Sequence, residues 1–95
     1  AMKAKLISKN VTINGHRTSL RLEQASWEAM ADICKCEGLT LHEMCSLIES
    51  RRGGASRTST VRAFIVPYYR TGAAEYGALQ RGTALSILPE LAARR

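Results

Sequence analysis

The chain changes its hydrophobic period once, at Glu23, and that change constrains the fold more than any other feature. From Arg17 to Leu22 the residues alternate as a β-strand requires, with Arg17, Ser19 and Arg21 on one face and Thr18, Leu20 and Leu22 on the other. Beyond Glu23 the period becomes about 3.6. Trp27, Met30, Ala31 and Cys34, with Ile33 beside them, make one apolar stripe and predict a helix over residues 24–36, ended by Gly38. A start signal follows: Thr40 can cap the next helix, Glu43 completes a capping box, and Leu39 can staple onto Met44. Leu41, Met44, Cys45 and Ile48 form the buried face of that helix, which fades at Arg51 and Arg52 before Gly53 and Gly54. Hydroxyls from Ser56 to Ser59 offer caps for a third helix, where Val61, Phe64, Ile65 and Tyr68 repeat the stripe. Pro67 is expected to kink this helix or to end it near Val66. From Thr71 onward Gly72, Gly77, Gly82 and Pro89 interrupt weak apolar clusters, so residues 71–95 read as a tail of short, marginal helices ordered only by a partner or a second copy.

A strand needs a partner, and two readings stay open. In the first, no other segment of the chain is long enough to pair with residues 17–23, and the strand is an edge awaiting another chain. An obligate dimer then follows, in keeping with a length at which only about two-thirds of the unfolded surface can be buried. In the second, Asn14 and Gly15 supply the chemistry of a two-residue hairpin turn, and residues 9–13 pair with 16–20 in the same chain.

Charge is distributed unevenly. Residues 1–22 carry +5 with no acid, residues 23–50 carry −5, and residues 51–95 carry +6, for a net charge of +6. The basic ends suit an anionic partner, and two guanidiniums and a hydroxyl on a strand face suit base edges and phosphates. Lys3, Lys5 and Lys9 can follow a phosphate backbone as a basic arm. Three cysteines, an odd number, and the lack of an apolar run near eighteen residues point to a reduced, cytoplasmic protein that is not bound to a membrane. Ala1 ahead of Met2 reads as a cloning remnant, and no signal peptide is expected.

Other chemistries find little support. Cys34 and Cys36, with His42 and Cys45 nearby, suggest a metal, but two positions on a helix are separated by about 200° and the thiols diverge. Cys34 and Cys45 fall on apolar stripes and read as small core residues. No nucleophile and base stand in a supporting context, and no glycine loop joins a strand to a helix for nucleotide phosphates. The chain is expected to be no enzyme and to carry no metal or cofactor.

The order of strand, helix, glycine and capped helix, from Ser19-Leu-Arg-Leu22 through Trp27 and Gly38 to Thr40-Leu-His-Glu43, resembles the ribbon-helix-helix superfamily of DNA-binding proteins, of which the Arc repressor is a member. Gly15-His-Arg-Thr-Ser19, Arg21-Leu-Glu23 and Trp27 further resemble a bacterial branch with an additional helix, here Val61 to Tyr69. The resemblance implies an α+β fold, mostly α, with one strand per chain pairing across an intertwined homodimer, plus the third helix and the tail. It divides the chain into a basic N-terminal arm (1–15), the ribbon-helix-helix domain (16–70) and a C-terminal tail (71–95). It implies a ribbon in the major groove of double-stranded DNA, with Arg17, Ser19 and Arg21 touching bases. Thr40, Leu41 and His42 at the second helix start would hold a phosphate, with Lys9 as a further phosphate contact. Thr18, Leu20, Leu22, Trp27, Met30, Cys34, Leu41, Met44 and Ile48 would form the dimer core. The function implied is a dimeric, sequence-specific transcriptional repressor, with higher oligomers on DNA as a further state. The competing reading is an antitoxin or protein-interaction module whose residues 71–95 bind a protein partner.

Overall fold

The computed structural model describes residues 5–93; Lys3 of the expected basic arm lies outside the described residues. Two antiparallel strands, β1 (Leu6–Ile13) and β2 (His16–Glu23), lead into α1 (Gln24–Glu37), α2 (Leu41–Glu49) and α3 (Arg57–Thr71). A π-helical turn, Gly72–Tyr76, then connects to α4 (Thr83–Ala93).

The strand finds its partner within the chain. β1 pairs with β2 from Leu6 opposite Glu23 to Ile13 opposite His16, around a turn in which Asn14 and Gly15 both have positive φ, 51° and 81°. That is the backbone a two-residue type I′ hairpin demands, and Asn-Gly is the pair that adopts it most readily. The premise of an obligate dimer is thereby corrected, and so is the basic arm over residues 1–15: Leu6–Ile13 of it is strand. The residues expected to form a dimer core lie within or beside the core of the single chain. Leu20, Leu22, Trp27, Met30, Cys34, Met44 and Ile48 are all buried within one chain, with Leu41 and Thr18 half-buried beside them. Val11 and Ile13 from β1 and Val61, Phe64 and Tyr68 from α3 complete that core. Ala31 departs from the expected α1 stripe and is exposed, Ile33 taking the buried place.

Local signals set the helix ends. At Thr40 the capping box is complete: its Oγ1 accepts from the Glu43 amide at 3.1 Å, and its own amide donates to the Glu43 carboxylate at 2.8 Å. Ser56 caps α3 by accepting from the Ser59 amide. Pro67 does not end α3, which runs on to Thr71. The carbonyl it leaves without a donor belongs to Ala63, an exposed residue, so water can serve in place of the lost bond. Pro89 in α4 follows the same rule, since Leu85 four residues earlier is exposed.

The tail is part of the fold. Ala84, Ile87 and Leu88 of α4 are buried in the common core, where they pack on α3. Glu37 at the end of α1 fastens it, accepting from the Tyr68 hydroxyl at 2.6 Å and from the Gly82 amide at 3.1 Å. Arg81 donates to the Cys36 carbonyl at 3.0 Å, a cation at the negative end of α1. No helix among the described residues is long and apolar enough to cross a membrane.

Candidate nucleic-acid interface

Because side chains alternate along each strand, the hairpin has one apolar and one polar face. Inward, Ile7 lies opposite Leu22 and Val11 opposite Thr18. Outward, Ser8 lies opposite Arg21, Asn10 opposite Ser19 and Thr12 opposite Arg17, and all six of these residues are exposed. The structure therefore brings together the three expected base contacts, Arg17, Ser19 and Arg21, on one solvent-facing surface. It adds three residues that the sequence reading missed, Ser8, Asn10 and Thr12. The Asn14-Gly15 turn held the signal for them, since fixing the hairpin register fixes which β1 residues face outward. The Ser8 and Ser19 hydroxyls lie 2.8 Å apart and are hydrogen-bonded across the strands.

Several arginines elsewhere in the chain are used by the fold. Arg52 and Arg57 both grip Glu49, at 3.0 and 3.1 Å, which clamps the end of α2 to the start of α3. Arg62 holds Glu23 at 3.0 Å, where β2 passes into α1. The hydrogen bond from Arg62 keeps the Glu23 carboxyl below its usual range, with the Ser26 hydroxyl assisting. Burial pulls the Glu49 carboxyl upward, but its two arginines together outweigh burial and hold it below the usual range. Arg17 and Arg21 make no ion pair with any described residue, and Glu23, two positions beyond Arg21 in the same register, is held by Arg62. Four residues apart on one strand, their Cα atoms are separated by about 13 Å.

The two edges of the hairpin differ. The Thr12 amide donates to Nδ1 of His42 at 2.9 Å and the Asn14 amide to Oγ of Ser46 at 3.2 Å, so α2 closes the turn end of the outer edge of β1. An accepting Nδ1 places the proton of the neutral His42 ring on Nε2. In an antiparallel pair the backbone groups of alternate residues turn away from the partner, and on β2 these belong to Arg17, Ser19 and Arg21.

The start of α2 stands beside this hairpin. Of the unbonded amides there, the capping box consumes those of Thr40 and Glu43, which leaves Leu41 and His42 facing outward. His42 is exposed and anchored to the ribbon edge. Lys9 is placed differently from expectation: it shares the inward register with Leu20, and its ammonium lies 5.2 Å from the centre of the Trp27 ring. Trp27 in turn donates to the Ile7 carbonyl at 2.9 Å, so this corner braces β1 on α1.

Burial raises the thiols of Cys34 and Cys45, the latter to about 11 with Cys34 adding to the effect, as suits core residues. Among the described residues no cluster of three or more His, Cys, Asp and Glu side chains could hold a metal ion. A separate groove of about 640 Å³ lies between α3 and α4, with Val66, Pro67, Ile87 and Leu91 along it.

A family model described as a ribbon-helix-helix domain matches residues 6–69, from the first residue of β1 almost to the end of α3. No curated protein and no solved structure matches the chain significantly.

Proposed function

The chain belongs to the ribbon-helix-helix family of DNA-binding regulators, and from that premise we propose that it is a sequence-specific transcriptional repressor that lays a two-stranded ribbon into the major groove. One observation carries this reading: two guanidiniums without an ion pair among the described residues, Arg17 and Arg21, stand on the outward face of the hairpin, while Arg52, Arg57 and Arg62 are tied to carboxylates. A guanidinium can donate twice to guanine O6 and N7, and Ser19 between the two arginines can serve several bases. The free amides of Leu41 and His42 and the Nε2 proton of His42 would grip a phosphate at the groove wall, and the Thr40 cap would hold that helix start in place. Lys9, turned toward Trp27, contributes to the ribbon's support and drops out as a phosphate contact.

The protein acts on DNA as a homodimer, in keeping with the family, but folds without one. Leu6, Val66 and Leu85 are the large apolar residues left exposed among those described, too few for an obligate interface. The reading as an antitoxin, with residues 71–95 wrapping a protein partner, finds less support, because α4 spends Ala84, Ile87 and Leu88 on its own core.

The test is a titration of Arg17→Ala and Arg21→Ala on a duplex selected by the protein from a random-sequence pool and on a scrambled duplex. Each variant should lose about 1–3 kcal/mol on the selected duplex and much less on the scrambled one. Equal losses on both would remove the sequence-reading role.

A further inference from the structure

We propose that the groove between α3 and α4 binds an amphipathic organic anion, a carboxylate with an elongated apolar body, whose charged end is held by Arg70. The groove shares no residue with the ribbon and does not depend on the DNA-reading role. One of its two walls, α4, lies beyond residues 6–69, in the part of the chain that the family model leaves out.

Helical spacing makes the wall on α3. Ser59, Ala63, Val66, Pro67 and Arg70 recur on one face of that helix and all line the groove, a distance of about 17 Å from end to end at about 1.5 Å per residue. Ala63 in the middle carries only a methyl group, which leaves room between the helices. Ile87 and Leu91 of α4 form the facing wall. Val66 is left 56% exposed there, apolar surface that an occupant would bury. The space of about 640 Å³ falls within the range of about 300–1,000 Å³ usual for small-molecule sites, which suits one elongated molecule.

Charge decides the class of ligand. Arg51 and Arg70 line the groove against one acid, Glu90, so its ionisable groups leave it positive. Arg51 is already engaged, whereas Arg70, in the last turn of α3, is exposed and makes no ion pair or hydrogen bond with any described residue. Its planar guanidinium matches a carboxylate, which can accept two bonds from it at once. The hydroxyl of Thr71 beside it can donate a further bond. With the anion at that end, the apolar body lies along Pro67, Val66 and Ala63 toward Ser59. Glu90 on the opposite wall repels the anion and weakens its binding.

Decanoate is the probe, with decanol and decyltrimethylammonium as neutral and cationic controls, each titrated calorimetrically into the full chain. One decanoate per chain should bind saturably below about 1 mM, and both controls at least about tenfold more weakly. Val66→Trp, which fills the groove from an exposed position, should abolish binding while the unfolding midpoint without ligand stays unchanged. Arg70→Gln should weaken decanoate at least about fivefold and bring it level with decanol. Glu90→Gln should tighten decanoate about twofold, a gain that a misfolded protein cannot produce, so these two variants decide the matter if Val66→Trp is destabilised. No saturable binding below about 1 mM, decanol binding as tightly as decanoate, or binding indifferent to Arg70→Gln would overturn the proposal. Sedimentation showing a self-association that Val66→Trp abolishes would assign the groove to a second copy and overturn it as well.

Discussion

Glu37 is the point at which the fold should be most sensitive to a single atom group. Its carboxylate ends α1, accepts from the hydroxyl of the fully buried Tyr68, and receives the Gly82 amide at the start of α4, so three elements meet on one side chain. Truncation by Glu37→Ala would leave the Tyr68 hydroxyl buried without an acceptor, which costs about 1–3 kcal/mol. It would also strip the acidic cap from α4, worth about 1 kcal/mol more. The sum of about 2–4 kcal/mol is a large share of the stability of a domain this size. In urea, with a slope of about 1.5 kcal/mol per molar, it should lower the unfolding midpoint by about 1.3–2.7 M. Glu37→Gln keeps an acceptor for Tyr68 and should recover about half of the loss. The phenol provides an independent readout. Burial, then the neighbouring Cys36 and Glu37, raise the Tyr68 pKa, so the native state favours the neutral phenol. A raised value means that this contribution is complete below the ordinary tyrosine pKa of about 10 and is lost as pH climbs above it. In near-ultraviolet titration one tyrosine should therefore ionise only with unfolding, and in Glu37→Ala it should ionise earlier. A midpoint shift under about 0.3 M in Glu37→Ala would refute the reasoning, because α4 would then dock without this carboxylate.

Two further outcomes follow from the same contacts. Glu23 and Glu49 both have lowered pKa values, so the stability they contribute is present above the ordinary carboxylate value of 4.5 and is lost as pH falls through their lower native values. Acid unfolding should therefore begin below that pH, and Arg57→Ala or Arg62→Ala should move its midpoint upward; an unmoved midpoint would show that the ion pairs do not hold the junctions. Because the core closes within one chain, the thermal midpoint of the free protein should not change between about 1 and 100 μM. A rise with concentration would show that folding depends on a second copy.

Short-range chemistry was legible from the residues alone. Thr40 and Glu43 spell their capping box within four positions, and Ser56 caps α3 in the same local way. The stripe of Met44, Cys45 and Ile48 is buried as its spacing predicts. Strand pairing was legible only as a choice. The alternation from Arg17 to Leu22 assigns an inner and an outer face but is the same whether the partner strand comes from β1 or from another chain, so the Asn14-Gly15 turn alone argued for the hairpin. The tail was misread because glycines and prolines dominate its local signal, whereas what orders α4 is remote: Glu37 lies 45 residues from Gly82. Pro67 and Pro89 looked like breaks because composition cannot show that the carbonyls they orphan belong to exposed residues, Ala63 and Leu85.

The hairpin also changes what the acidic middle of the chain does. Six acids between Glu23 and Glu49 would repel a DNA backbone if they faced it, yet the fold spends several of them internally. Glu23 and Glu49 neutralise Arg62, Arg52 and Arg57, and Glu43 and Glu37 complete the starts of α2 and α4. The arginines consumed in this way can no longer serve as general phosphate contacts. What the chain leaves free on the ribbon is a narrow strip, Arg17 and Arg21 with Asn10 between them on the neighbouring strand. On the proposed function such a strip would give few phosphate contacts and several base contacts, so affinity for random DNA should be modest and discrimination should rest on the ribbon. Net charge alone would have suggested the opposite, a non-specific polycation. On the proposed function, the pairing of arginines with carboxylates at the α2–α3 junction and at the end of β2 is what would turn a basic chain into a reader of sequence.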